Sequence, residues 1–396
     1  MSSLKNNNHL SRSAALKFVL LFGLISLLAD ATYEGARSIN GQFLAVLGAS
    51  GALVGFVSGF GELIGYGIRF LSGYLSDRTR QYWLVTIGGY IINLLAVPVL
   101  ALAGSWQLAA VLMVTERIGK GIRTPARDAM LSHATYRTGR GWGFGLHEAL
   151  DQIGAVAGPL IITLVLFLNG SYKTGYFILL IPALLALAVL ATARFLYPDP
   201  RSLEVERPEL RSRGFSRVFW LYLLAMALLA LGFADFPLIA FHLEKTGAIG
   251  LDFIPVLYAI AMGVDAIAAL VFGRLFDRYG VVVIALAAIF SAFFAPLAFG
   301  NTLLFAVSGM VLWGIGMGAQ ESVMRAAIAE MIPADRRASA YGIFNTVYGL
   351  FWFAGSAALG LLYDFSIPAL IIFSVVAQLL SIPVLVVVKR MYPTPR

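Results

Sequence analysis

The chain has 396 residues, of which 59% are hydrophobic and only 13% charged, with a net charge of +8 and a mean hydropathy of +0.83. Soluble domains carry about 25% charged residues, so this composition excludes an ordinary soluble enzyme or binding module and implies a chain that crosses a membrane many times. It has no cysteine, which excludes disulfides, thiolate metal sites and thiol nucleophiles.

Apolar runs of crossing length predict an all-α membrane protein of twelve helices. They fall at 14–45, 50–75, 83–103, 106–132, 140–168, 174–195, 216–243, 251–275, 281–299, 302–331, 338–363 and 367–388. The first run is too long for a cleaved signal and lacks a small-residue cleavage site, so it stays as helix 1. Within it, Asp30, Glu34 and Arg37 stand at i, i+4 and i+7, on one face. Asp30 lies about 14 residues along that helix, roughly 20 Å at 1.5 Å per residue, near mid-depth. A carboxylate at such depth holds its proton more tightly unless it is paired, which is what a proton-coupling site requires. The plainer alternative is a Glu34–Arg37 ion pair that only stabilises the bundle. In helix 2, Glu62 and Arg69 read most simply as another local pair.

Helix 4 carries the organising stretch. Thr115 to Leu131, TERIGKGIRTPARDAML, places Glu116, Arg117, Lys120, Arg123, Arg127 and Asp128 after the apolar run from Trp106 to Val114. Each charge near a helix centre costs roughly 2.5 to 3.5 kcal/mol in lipid, so these side chains are expected to face a water-filled cavity or a paired interior. Arg117 lies at mid-depth, with Gly119 and Gly121 allowing close helix approach. It is expected to be functional, against a structural pairing with Glu116 or Asp151. Lys120 and Arg123 equally suit a basic vestibule for anions, and Pro125 is expected to kink the helix.

In helix 5, His147 and Asp151 stand at i and i+4 beside Glu148. That spacing suits a hydrogen-bonded pair or a proton relay. No metal site is expected, because the other histidines, His9, His133 and His242, form no metal pattern with them. The small residues from Gly154 through Gly158 to Pro159 should pack helix 5 closely on a neighbour.

Arg194 to Arg217, with Pro198, Pro200 and Pro208, is the only long polar segment. It divides a six-helix bundle at 1–195 from another at 216–396, with 196–215 as the linker. In the second bundle, Asp235 and His242 at i and i+7 share a face of helix 7. Pro237 is expected to break that helix and free backbone groups toward the cavity. Asp265 lies in helix 8. Helix 10 holds Gln320, Glu321 and Arg325, the last two at ion-pair spacing.

Lysine and arginine cluster at every second connection, while the opposite connections hold only Lys173 and Lys245. The positive-inside rule then puts both termini in the cytoplasm, and the basicity is a topology signal that leaves no case for nucleic acid. The halves also repeat. Gly73, Asp77 and Arg78 in GYLSDR recur 200 positions on as Gly273, Asp277 and Arg278 in GRLFDR. A shift of 197 brings Gly119 onto Gly316, Gly121 onto Gly318 and Gly158 onto Gly355, and a shift of 205 brings Asp30 onto Asp235. Duplicated halves follow.

On these motifs, with Arg117 and Gly121 in helix 4, the chain resembles the major facilitator superfamily over nearly its whole length. Its RIGKGIRTPARDA stretch resembles a group of prokaryotic permeases within it. The resemblance implies a gate in which Asp77 accepts hydrogen bonds at the start of helix 11 and Arg78 pairs with Asp128, with Gly273, Asp277 and Arg278 as its echo. The glycine that usually follows the motif is replaced here by Arg80, whereas the echo keeps Gly280. The GAVAGP run, Gly154 to Pro159, resembles the helix 5 motif linked with antiporters, but Ile162 and Thr163 follow where a glycine pair is expected.

The expected function is alternating-access transport, with proton-coupled export of a small organic compound through Asp30 or Glu34. Uptake or export of an anionic solute or metal chelate is the rival, and a non-transporting membrane sensor the third reading. No cofactor is expected. The expected setting is the cell inner membrane, as a monomer.

Overall fold

A computed structural model describes residues 12–138, 140–198, 215–332 and 337–391; the linker from 199 to 214 falls outside them. Among the described residues the secondary structure is helical, with no strand. The helices are α1 (Arg12–Val46), α2 (Gly51–Thr79), α3 (Tyr82–Val99), α4 (Trp106–Thr138) and α5 (Arg140–Phe167). After α6 (Tyr172–Ile178) and α7 (Leu180–Leu196) come α8 (Arg217–Gly232), α9 (Phe236–Thr246) and α10 (Ile254–Tyr279). The remainder are α11 (Val282–Ala292), α12 (Phe294–Ala298), α13 (Leu303–Met331), α14 (Arg337–Phe365) and α15 (Ile367–Met391).

Ten stretches are long and apolar enough to cross a bilayer on that ground alone. The charged α4 and the broken pair α11–α12 complete the twelve crossings that the hydropathy predicts. Side-chain oxygens start several of them: Ser50, Ser216 and Thr302 each accept a backbone N–H in the first turn of α2, α8 and α13, satisfying donors that have no partner inside the helix. At the end of α2, Arg80 takes φ 57°, and Gly280 takes φ 63° at the matching end of α10. The turn after the first motif therefore keeps the left-handed position although it lost the glycine that favours it.

Glycines set the packing. A side chain at Gly154 would meet the Leu27 carbonyl oxygen at 2.2 Å, and one at Gly158 the Ala31 oxygen at 2.3 Å. The close neighbour of α5 is thus α1, and the contact fixes the helix that carries Asp30, Glu34 and Arg37. The repeat reproduces it, since Gly355 of α14 lies as tightly on the Leu231 oxygen of α8, at 2.2 Å. Gly119 and Gly316 likewise press on Asn93 and Ser291, and Gly121 and Gly318 on the backbone of Gly65 and Asp265. The expected twofold repeat is visible in these matched contacts.

The bundle is closed at the end opposite to the start of α1. There the Asp364 carboxylate accepts the backbone N–H of Gly51 and of Ala52 at 2.9 and 2.8 Å, joining α14 to the first turn of α2. Tyr172 donates to Glu244 at 2.7 Å, and Gly41 of α1 lies directly on the Pro237 carbonyl of α9. Toward the other end, α4 and α13 form no packed pair among the described residues, whereas α1 packs on α9, α2 on α14 and α5 on α10.

Candidate functional site

The three charged residues of α1 are all buried, at 5% exposure for Asp30, 7% for Glu34 and 6% for Arg37. They do not pair with one another. Arg37 donates to Asp235 of α9 at 2.6 Å and lies 3.5 Å from Glu62 of α2. Glu34 accepts from the Tyr258 hydroxyl of α10 at 2.5 Å, and its other oxygen lies 3.8 Å from Lys120 of α4. The Glu34–Arg37 pairing expected from the spacing is therefore corrected: each residue is drawn to a partner on a different helix. Asp30 keeps one carboxylate oxygen buried without a partner.

Helix α4 supplies the opposing charges. Arg117 lies between Glu62 at 3.4 Å and Glu116 at 3.3 Å, and Glu116 accepts from the Asn93 amide at 2.6 Å. Of the two structural partners expected for Arg117, Glu116 is present and Asp151 is not. Lys120 rests 3.9 Å from the centre of the Tyr33 ring, close enough for a cation–π contact. Arg123 is 1% exposed and lies over the Tyr90 ring at 4.3 Å. The basic vestibule is corrected accordingly, since Arg123 is folded inside the α1, α3 and α4 contact. Between Arg37, Asn40, Gly61, Glu116, Arg117 and Asp235 remains a cavity of 30 Å³, room for a water or two.

Glu62 joins the central charges, which its spacing to Arg69 does not predict. Its partners are Arg37 and Arg117, while Arg69 lies over the Tyr66 ring at 4.9 Å. The local Glu62–Arg69 pairing is thus replaced by a link among three helices. Glu116, Asn93 and Tyr258 also join the network. Glu62 and Glu116 carried a usable signal, being acids inside apolar spans; nothing in the local sequence sets Asn93 or Tyr258 apart.

In α5, His147 bonds to Ser26 of α1 at 2.9 Å, and Arg127 donates to the same hydroxyl at 3.3 Å. The expected His147–Asp151 hydrogen bond is not formed; Asp151 instead keeps one buried oxygen without a partner. No group of three potential metal ligands occurs among the described residues.

The second half divides. The chain leaves helical geometry at Phe233, and Asp235 caps α9 by accepting the Phe236 N–H at 2.9 Å, so Pro237 sits in the first turn of a new helix. The freed carbonyls do not face the cavity, which corrects that expectation. Ala234 accepts from Trp313, and Gly232 from Ser374 and Gln378. Asp235 and His242 are not brought together, since His242 bonds to Tyr363 of α14 at 3.2 Å. Asp265 is buried at 2% exposure, and Gln320 accepts from Tyr348 at 3.0 Å. Glu321 is exposed on α13, and the Arg325 side chain lies outside the described residues.

At the motif that closes α2, the Asp77 side chain lies outside the described residues. Gly73 faces Pro125 of α4, and Arg78 donates to Tyr74 at 3.2 Å. Asp128 is held by Arg127 at 2.8 Å. The Arg78–Asp128 pairing is corrected: the neighbouring arginine on α4 takes the acid. In the echo, Asp277 and Arg278 are both exposed, and Gly273 has open space around it.

Residues 14–356 match the family model described as Major Facilitator Superfamily. An uncharacterized protein of Mycobacterium tuberculosis is 40% identical over 383 residues, covering 95% of this chain and 94% of that protein. An uncharacterized MFS-type transporter of Methanocaldococcus jannaschii is 27% identical over 395 residues and covers 96% of each chain. The crystal structure of the nucleoside transporter NupG superposes with a TM-score of 0.70 at 13% identity, over 96% of this chain and 100% of that one; at that identity the likeness is one of fold alone.

Proposed function

This chain belongs to the major facilitator superfamily, and we propose that within it the protein is a proton-coupled exporter of a small organic compound. It is a multi-pass membrane protein and a secondary transporter, not an enzyme. The reading places it in the cell inner membrane as a monomer with both termini in the cytoplasm, which makes the closed end the outer one. Two six-helix bundles, residues 1–195 and 216–396, then rock about the charged seam.

One observation carries the coupling. Glu34 is shared between Lys120, on the same side of the seam, and the Tyr258 hydroxyl, on the other. A proton on Glu34 cancels its attraction for Lys120 and weakens a charge-assisted hydrogen bond. Proton binding and the contact between the bundles therefore draw on the same oxygens. Arg37 has a parallel arrangement, between Glu62 of its own side and Asp235 across the seam. Asp30, one turn from Glu34, is the second candidate for carrying the proton, and Arg117 sets the field around both.

The test is proton flux in oriented proteoliposomes, screened over a chemically diverse panel for wild type, Asp30→Asn, Glu34→Gln and Arg117→Ala. A compound whose movement drives protons the opposite way in wild type, with the coupling lost in Glu34→Gln or Asp30→Asn, supports the reading. Transport that persists without a proton gradient in both carboxylate variants refutes it.

A further inference from the structure

Glu34 is fully engaged in this conformation. One of its oxygens faces Lys120 and the other accepts from the Tyr258 hydroxyl, the arrangement of an ionised carboxylate. A proton that drives the cycle has to rest elsewhere, and the contact of α1 with α5 offers a place.

These two helices run parallel in one register. Gly23 faces Leu150, the Leu27 oxygen faces Gly154 and the Ala31 oxygen faces Gly158, so both chains advance together by four residues, about one helical turn. Within this contact, Ser26 and His147 form a polar rung, hydrogen-bonded at 2.9 Å. One turn further along each helix stand Asp30 and Asp151, which the same register brings side by side. Asp30 is 5% exposed, and each of the two carboxylates keeps its Oδ1 buried with no hydrogen-bond partner. Among the described residues neither forms an ion pair.

The charges around Asp30 are those of Asp151, of Lys120 and Arg123 on α4, and of Glu34. Both cations have other contacts: Lys120 has Glu34 and the Tyr33 ring, and Arg123 lies over the Tyr90 ring. On the rung nearer the start of α1, Arg127 holds Asp128 and the Ser26 hydroxyl. Adjacent carboxylates repel in a low dielectric, and buried acceptors without a donor are rare. One proton relieves both conditions, because the carboxyl that carries it donates to the other in a strong, charge-assisted hydrogen bond.

We propose that Asp30 and Asp151 together hold the coupling proton, so that Asp151 of α5 is the second half of its site. This rests on the transport reading above and deepens it. The proton then passes from the pair to Glu34, one turn along α1. Glu34 becomes neutral and releases Lys120, and the pair, now carrying two negative charges, takes Lys120 as its partner. The charge moves with the proton, and the contact of Glu34 across the seam weakens as it does so.

The test needs no substrate. Full-length protein in nanodiscs is compared by infrared absorption at neutral pH, in light and heavy water, as wild type minus Asp30→Asn, minus Asp151→Asn and minus Glu34→Gln. The first two differences should show the same protonated-carboxyl C=O band, sensitive to heavy water, because in either variant an amide replaces the proton as donor and the remaining carboxyl ionises. The third difference should lack it. A band missing from either aspartate difference, or present in the Glu34→Gln difference, overturns the proposal. So does a band that appears only when sodium is removed, which would make the pair a sodium site. If an asparagine variant does not fold, wild type decides through dicyclohexylcarbodiimide, which modifies protonated carboxyls in apolar surroundings. Peptide mass spectra should place its adduct on Asp30 or Asp151, at most one per molecule; an adduct on neither overturns the proposal. Because nothing here is read from transport, the proton-flux result stands or falls separately.

Discussion

Arg37 and Asp235 meet at 2.6 Å, and the same Asp235 oxygen caps the first N–H of α9 at 2.9 Å. One acid thus closes the break in the seventh crossing and ties it to the first. Removing it leaves the Arg37 guanidinium buried with only Glu62, at 3.5 Å, to compensate. Asp235→Ala should destabilise the protein by about 3–5 kcal/mol, the range for breaking one side of a buried pair. The double variant Arg37→Met, Asp235→Leu should recover much of the loss. Melting in detergent, followed by tryptophan fluorescence, reads both; a double variant no better than the single one would assign the damage to the cap instead.

Tyr258→Phe removes the hydroxyl that meets Glu34 and leaves the ring, which stacks on Phe236 at 4.3 Å, in place. The cost should be about 1.5–3 kcal/mol, the value of a hydrogen bond to a charged group. It should fall on the balance between conformations, because the bond crosses the seam. The chain has no native cysteine, so a single cysteine at Asn40, beside the central cavity, reports access from the closed end. Labelling by an impermeant maleimide should speed up in Tyr258→Phe, and an unchanged rate would remove Tyr258 from the gate.

The same reporter tests Asp364. Its two oxygens hold the Gly51 and Ala52 amides, so Asp364→Ala removes a cap worth about 0.5–2 kcal/mol. Asp364→Asn, which keeps one acceptor, should fall between wild type and alanine in labelling rate.

Gly158→Val should abolish folded protein, because its Cβ would have to occupy the space of the Ala31 carbonyl of α1. Gly355→Val should fail in the same way against Leu231 of α8. Gly273→Val, with open space around it, should give near-normal yields by size-exclusion profile.

Arg80→Gly should stabilise the protein by about 1 kcal/mol, since a non-glycine residue in the left-handed region is strained by that order. The sign is read from the melting temperature; a decrease would mean that the Arg80 side chain contributes more than its backbone costs.

Much of this architecture was legible in the sequence because lipid imposes a simple demand. Each crossing needs a long apolar run, and the predicted helix at 106–132 survives as α4 despite its charges. The central charges were legible for the same reason, as residues out of place in such runs. Their partners were not. Periodicity says which residues share a face of one helix, so it paired Glu34 with Arg37 and Glu62 with Arg69. The side chains instead reach across to Lys120, Asp235 and Arg117, a matter of which helices touch. Pro237 shows a finer limit. A proline marks the neighbourhood of a break, yet its ring is tolerated in a first helical turn, and the break lies just before it, where Asp235 can cap.

The matched glycines carry one more consequence, about ancestry. If the halves arose by copying one six-helix gene, the copies have since lost part of the central charge: the positions matching Arg117 and Glu62 are Gly314 and Met262. Gly119, Gly121 and Gly158 still have their twins in Gly316, Gly318 and Gly355. A charge can be exchanged when a new role appears, whereas a contact with no room for a methyl group admits no alternative. At the heart of the helix contacts, the duplication is recorded in the residues that have no side chain to change.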